Sequence, residues 1–330
     1  MTTKEQLVVL LEEHDGEYLS GSAIAQQLGV TRAAVWKQIQ QLQEEGYQIE
    51  AVQNRGYRLG ELNDVVSAYK IRKFLGDYAD WIPIEAHPQV TSTNQLLKDQ
   101  AAQAQAPDWY TIIAGCQTEG RGRRTRNFFS PSDSGVYLST LLRLPIPAEE
   151  ALRITIAAAV AACRAIEECT DARPQIKWVN DVYISGKKIC GILTEASISM
   201  ESGGLDWAVM GIGLNVYEPE GGFPGDLREI AGPICTSRKK DLRCRLSAAF
   251  LRQFYDICRN LMAPSLVEEY RQRSFLPGHT VDVLKGDRKI PAFVEGIDQE
   301  CRLLVRYEDG SREALSSGEV SIKVSARDEA

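Results

Sequence analysis

The chain has 330 residues, 44% of them apolar and 25% charged, and a net charge of −7. It is long enough for two or three domains around a sizeable core. Its acidic balance excludes a protein that coats nucleic acid without regard to sequence.

The first sixty residues read as a winged helix-turn-helix. In TKEQLVVLLEEH the leucines at 7, 10 and 11 fall at helical spacing. A short second helix carries Ile24 and Leu28. A third opens behind Thr31 as N-cap, buries Val35, Ile39 and Leu42, and stops at Gly46. YQIEAVQNRGYRL then alternates around a turn at Asn54-Arg55-Gly56, a small hairpin. In such a motif the third helix enters the major groove. The residues expected to meet DNA are Arg32, Ala33, Trp36, Lys37 and Gln40 of that helix, and Arg55 and Arg58 of the wing. Residues 1–60 hold 5 basic and 8 acidic side chains. A module with net charge −3 binds phosphate weakly alone, which predicts a dimer on a two-fold site.

From about Ser67 the pattern becomes α/β. IPIEAHPQVTSTNQLLKDQA reads as strand, polar turn and helix, with Ser92, Thr93 and Asn94 at the helix start. A strand precedes GRGRRTRNF (Gly120 to Phe128), which packs four arginines and two glycines, and another strand follows it. A helix is expected from Glu149 to Cys169, then two strands joined at Ser185-Gly186, then a buried strand in WAVMGIGLNV. The apolar run Ile154 to Cys163 is too short to span a bilayer. The tail from His279 has five short alternating runs, with turns at Gly286, Asp298 and Asp309-Gly310, and reads as an SH3-like barrel.

The acidic N-terminus lacks the pattern of a secretory signal. Eight scattered cysteines without a C-x-x-C pair, and three histidines, make a zinc site unexpected and a reducing, cytoplasmic setting the simplest one. Guanidiniums on a glycine-bearing loop can chelate phosphate oxygens in pairs. The loop lacks a Walker-type pattern, so its anion is open between a nucleotide and a nucleic acid backbone. Lys177, Asn180, Asp181, Lys188 and Asn215 add cationic, amide and carboxylate groups around one sheet with almost no histidine. That equipment suits charge stabilisation at a transferring phosphoryl or adenylyl group better than acid–base hydrolysis.

At these residues the sequence resembles the biotin–protein ligases, specifically the bifunctional class that doubles as the biotin operon repressor. The matching motifs are STN (92–94), Gln117 with GRGRRTR (120–126), KWVND (177–181), KKICGIL (187–193) and GIGLN (211–215). Thr125, Val179 and Phe128 depart from the family pattern, Phe128 replacing a tryptophan expected against adenine. The resemblance implies α+β architecture in three parts: a winged helix at 1–62, a biotin- and ATP-binding domain related to class II synthetases at 67–273, and an SH3-like domain at 275–325. It implies that biotin and ATP, with Mg²⁺, form biotinyl-5′-adenylate, which acylates a lysine of a biotin acceptor domain. Acetyl-CoA carboxylase's carrier subunit and pyruvate carboxylase are acceptors of that kind.

It further implies that Ser92, Thr93, Asn94, Gln117, Gly120, Arg121, Gly122, Arg123, Lys188 and Gly191 bind biotin. Arg123, Arg126, Phe128, Asn180, Asp181 and Asn215 serve ATP, with Mg²⁺ near Asp181 and no protein metal cage. Lys188, Arg121 and Arg123 are the catalytic cations. The arginine loop and GGFPGDLREIAG (221–232) are candidate covers, with Phe223 over adenine. Glu319 and Lys323 either face the ATP site or acceptor protein, or belong to a domain that simply caps the core. The adenylate-bound form dimerises and binds operator DNA, and no membrane is involved. A lipoate ligase and a non-catalytic biotin sensor are the rival readings.

Overall fold

The computed structural model describes residues 2–123, 126–199, 203–285, 288–316 and 320–322. Thr125, Gly286, Glu319 and Lys323 lie outside them.

Three helices, α1 (Thr3–Glu13), α2 (Gly21–Leu28) and α3 (Arg32–Glu44), pack against the hairpin of β1 (Ile49–Val52) and β2 (Gly56–Leu59). Each helix starts with a hydroxyl cap: Thr2, Ser20 and Thr31 accept from backbone N–H groups of the first turn. Their apolar faces meet in one core of Leu7, Leu10, Leu11, Ile24, Val35, Ile39 and Leu42, closed by Ile49 and Leu59.

The central region is a seven-stranded mixed sheet. Its strands are β3 (Ile84–His87), β4 (Thr111–Ala114), β5 (Gly135–Leu142), β6 (Gln175–Lys177), β7 (Asp181–Ile184), β8 (Lys187–Ile198) and β9 (Leu205–Asn215), in the order β3-β4-β5-β9-β8-β7-β6. Only β3 and β4 run parallel. Helices α6 (Leu152–Cys169), α8 (Leu242–Cys258) and α9 (Pro264–Arg273) bury one face. Helix α5 (Thr93–Ala102) covers part of the other through Leu97, Ala101, Ile112, Leu141 and Val209, leaving the rest of that face open.

The structure departs from the expectations in three respects here. Helix α6 begins at Leu152 rather than Glu149, because Ala148–Glu150 form a separate 3-10 turn behind Pro147. The segment 174–198 holds three strands rather than two, since Gln175–Lys177 pairs with β7 through a tight turn. Helices α4 (Ala68–Leu75), α8 and α9, and the short α7 (Leu227–Ile230), add to the expected elements.

The tail forms β10 (Thr280–Lys285), β11 (Arg288–Ile297), β12 (Leu303–Tyr307), β13 (Arg312–Leu315) and β14 (Val320–Ile322), an antiparallel sheet in the order β13-β12-β11-β10-β14. It docks on the centre partly through Trp178, whose indole N–H donates to the Cys301 carbonyl at 2.9 Å.

A buried polar seam joins the winged helix to the centre. Glu12 of α1 is 2% exposed and accepts from Ser67 Oγ at 3.0 Å. Lys70 of α4 donates to Asp241 at 2.6 Å. Arg243 clasps the carboxylate and carbonyl of Asp64 and reaches Asp133 at 2.9 Å. Burial pushes the Glu12 carboxyl up to about 7, partly opposed by Lys70 and Ser67. Desolvation likewise raises Asp64 against the pull of Arg243.

Candidate active site

Strand registers build the floor of the open face. Tyr137 lies opposite Gly213, Gly213 opposite Gly191, Gly191 opposite Asp181, and Asp181 opposite Lys177. Directly paired residues share a face, so one row crosses five strands as aromatic, glycine, glycine, carboxylate and lysine. The two glycines hollow a trough in which the ring of Phe128 lies. A Cβ at Gly213 would meet that ring at 2.3 Å, and one at Gly191 would meet it at 3.0 Å.

Lys188 reaches this face through an irregularity in the sheet. Simple alternation puts residues 188 and 191 on opposite faces. The register between β7 and β8 shifts, pairing Val182 with Cys190 but Tyr183 with Lys188, so Ile189 is the extra residue of a bulge. The bulge re-aims Lys188. Its Nζ stands 2.7 Å from Asp181 Oδ1. The contact is one of charge, off the hydrogen-bonding direction, and Asp181 Oδ1 is a buried oxygen without a hydrogen-bond partner among the described residues.

One wall is the start of α5. Ser92, Thr93 and Asn94 are all buried. Ser92 caps the helix. The Thr93 N–H and hydroxyl donate to Gln117 Oε1 at 2.9 and 3.1 Å, and Gln117 Nε2 donates to Ser130 Oγ. Ser139 Oγ lies 2.6 Å from Asn94 Oδ1, and Asn94 Nδ2 donates to Leu193 O and Glu195. Burial opposes the Glu195 charge, yet hydrogen bonds from Lys98 and Asn94 hold its carboxyl below the usual value. The amide of Asn94 is thus committed within the protein, and a Cβ at Gly211 would strike its Oδ1 at 1.9 Å.

The arginine loop arches over the trough. Gly122 N–H donates to the Arg126 carbonyl at 2.7 Å, and Phe128 N–H to the Gly120 carbonyl at 2.8 Å. Gly120 is packed closely, and a Cβ there would meet Phe128 O at 2.3 Å and Ser130 Oγ at 2.5 Å. Arg121 is exposed at the rim and donates to Gln95 at 2.7 Å. Arg123 bridges to Asn180 Oδ1 at 3.2 Å, while Asn180 Nδ2 donates to the Ile192 carbonyl. Asn215, on the same strand face as Gly211 and Gly213, donates to the Lys188 carbonyl at 3.4 Å.

Together these groups line a cavity of about 330 Å³. Every expected biotin or ATP residue lines it except Gly120, whose carbonyl accepts the Phe128 N–H at 2.8 Å. Phe223, Leu227, Ile230 and Ala231 of the second glycine-bearing stretch close another side, and Val320 of β14 reaches the mouth. Gly211, Gly213, Trp178 and Tyr183 also line it and were not among the expected site residues. For the glycines a signal existed: in GIGLN, residues 211, 213 and 215 alternate onto one face.

On the winged helix, Arg32, Ala33, Trp36, Lys37, Gln40 and Arg55 are exposed, Trp36 to 58%. Arg55 stacks 4.2 Å over Tyr18. Arg58 is engaged by Glu50 at 2.8 Å. Among the described residues no group of three or more His, Cys, Asp or Glu is placed to hold a metal. Among the described residues no helix is long and apolar enough to cross a membrane.

Comparison with known proteins gives the same three parts. The HTH domain model matches residues 3–58, the Biotin/lipoate A/B protein ligase family 86–215, and the Biotin protein ligase C terminal domain 278–323. The bifunctional ligase/repressor BirA of Bacillus subtilis is 37% identical over 230 residues, covering 70% of each chain. Its Escherichia coli namesake is 28% identical over 337 residues, covering 98% of each. A mutant biotin protein ligase from Aquifex aeolicus, solved with biotin, superposes with TM-score 0.60 at 25% identity, over 74% of this chain and 99% of that one.

Proposed function

We propose, since the chain belongs to the biotin/lipoate A/B protein ligase family, that it joins biotin to a lysine of biotin acceptor proteins at the expense of ATP, and represses transcription through its winged helix. The observation that carries the reading is the trough itself. Lys188, Lys177, Arg121, Arg123 and Arg126 surround a glycine floor, and no histidine lines it among the described residues.

A carboxylate attacking a phosphate brings anion to anion. It needs no base, but it needs cations in place before charge builds on the phosphorus oxygens. A biotin carboxylate oxygen attacks the α-phosphorus of ATP. The bond to the β-phosphate breaks, and pyrophosphate leaves with the electron pair. Lys188 and Arg121 flank carboxylate and α-phosphate, with Arg123 and Arg126 on the phosphate side. Ser92, Thr93 and Gln117 offer polar atoms to the ureido ring, and Asn180 and Asn215 orient the nucleotide. The acceptor's amine then attacks the acyl carbon, AMP leaves, and the nitrogen gives up its proton. Mg²⁺ would arrive with the ATP phosphates and neutralise part of their charge. Asp181 Oδ1, 2.7 Å from Lys188 Nζ and without a directional hydrogen bond among the described residues, would be one carboxylate ligand to such an ion.

The chain is divided here at 1–62, 67–273 and 275–325. The acceptor is a carboxylase domain of the acetyl-CoA or pyruvate type, and operator DNA is met by Arg32, Ala33, Trp36, Lys37, Gln40 and Arg55. The exposure of Trp36 and the two wing arginines stacked on Tyr18 support that face. The net charge of the module favours a homodimer on DNA, and the family resemblance implies that the adenylate-bound form is the one that pairs. Eight unpaired cysteines support a cytoplasmic setting.

The test is incubation with ATP, Mg²⁺, biotin and an acceptor domain, read by intact mass. One biotinyl group on one lysine is expected. An unmodified acceptor, or labelling by lipoate in place of biotin, would overturn the reading.

A further inference from the structure

The neighbour of Lys188 has no part in the chemistry above, and its contacts point elsewhere. Lys187 Nζ donates to the carbonyls of Arg228 at 3.2 Å and Glu229 at 2.7 Å. These belong to α7, a helix of one turn, whose last carbonyls have no partner within the helix. A cation at a helix C-terminus is favoured by the backbone dipoles as well as by the two hydrogen bonds.

Helix α7 lies in the segment that closes one side of the cavity through Phe223, Leu227, Ile230 and Ala231. Among the described residues, these are the only side-chain hydrogen bonds made to residues 219–231. Up to Ile230 the backbone N–H groups of that stretch bond internally, as from Leu227 N–H to Pro224, Arg228 N–H to Gly225, and Glu229 N–H to Asp226, and at its end Ala231 bridges to Lys188 of β8. Past it the chain is laced to the sheet by Gly232 N–H to the Lys188 carbonyl and by Ile234 N–H to the Asn215 carbonyl. A Cβ at Gly232 would meet Lys187 Cβ at 2.8 Å, so the cover passes flush against the base of this side chain.

We infer that Lys187 is a positioning residue: it clasps α7 and holds the cover closed over the trough into which Lys188 points. One strand thereby carries the charge that promotes adenylate formation and, on the preceding residue, the latch that retains the product. The inference rests on the adenylate-forming reading for its consequence, but the clasp can be tested without it.

Lys187→Met keeps the apolar stem and removes the donors; Lys187→Arg keeps donors and charge; Lys187→Gln removes the charge and keeps an amide NH2 on a stem one atom shorter. Hydrogen exchange on the unliganded protein should show faster exchange at residues 226–231 in Lys187→Met, with Lys187→Arg close to wild type. With biotin and ATP but no acceptor, Lys187→Met should release adenylate about tenfold faster, as expected for losing charge-assisted hydrogen bonds at a partly exposed site. Pyrophosphate exchange per adenylate formed and Tm should remain close to wild type. A merely structural role would lower Tm and exchange together. If Lys187→Met fails to fold, Lys187→Leu, which also lacks a donor, carries the same test. Unchanged protection of residues 226–231, or adenylate retained as long as in wild type, overturns the proposal. A wild-type protein that makes no adenylate counts against the reaction, while the exchange result still decides the clasp.

Discussion

Replacing Gly213 by alanine puts one methyl where the structure has no room. Its Cβ would lie 2.3, 2.6 and 2.9 Å from three carbons of the Phe128 ring. Carbons in contact sit about 3.5–4.0 Å apart, so the ring must recede by about 1 Å or more. It cannot do so freely. The Phe128 N–H is bound to the Gly120 carbonyl, its carbonyl accepts from Ser130 Oγ at 2.9 Å, and its ring meets Tyr137 edge-on at 6.4 Å between centroids. Overpacking of this kind costs about 1–3 kcal/mol. The strain falls on the loop that carries Arg121, Arg123 and Arg126, so Gly213→Ala should weaken substrate binding as well as the fold. The assay is a double-mutant cycle with Phe128→Ala, read by urea unfolding and by KM for biotin. The alanine at 213 should be nearly harmless once the ring is gone, giving a coupling of about 1 kcal/mol or more. A coupling below about 0.5 kcal/mol, within ordinary additivity, would refute the glycine-trough argument.

Glu12→Gln tests the seam beneath the winged helix. With its carboxyl raised from 4.5 to about 7, the folded state holds a proton that the unfolded state has lost, so wild-type stability falls as pH rises through that window. The glutamine variant should lack about 2 kcal/mol of the stability loss between about pH 5.5 and about pH 8, and identical pH profiles would contradict the assignment. Arg243→Ala should destabilise by about 3–5 kcal/mol, because it leaves Asp64 charged and buried; a change in Tm within error would show that the pair is dispensable. Arg123→Gly removes the tie from loop to Asn180 and should leak adenylate onto bystander lysines, and a tightly held, unlabelled pool would count against the loop as a lid.

The motifs were legible because their chemistry is local. The hydroxyl caps and apolar spacing of α1 to α3 are written in consecutive residues, and so is the alternation of the tail. The position of Lys188 was not. Alternation along KKICGIL separates it from Gly191, and only the strand register exposes the bulge at Ile189 that unites them. Helix α8 has an N-cap residue type, Asp241, before its first residue, but Asp241 is left-handed and its carboxylate bonds Lys70 rather than capping the helix. The seam of Glu12, Asp64 and Arg243 joins residues more than fifty positions apart. Nothing in their own neighbourhoods marks them as partners.

Biotin-dependent exchange of labelled pyrophosphate into ATP, compared between wild type and Lys188→Ala, bears most directly on a pocket whose positive charges let two negative reactants meet. Removing the side chain should slow exchange by about a hundredfold or more, the scale of about 3 kcal/mol of lost charge stabilisation, with Tm little changed. Exchange at the wild-type rate in a folded Lys188→Ala protein would contradict the account.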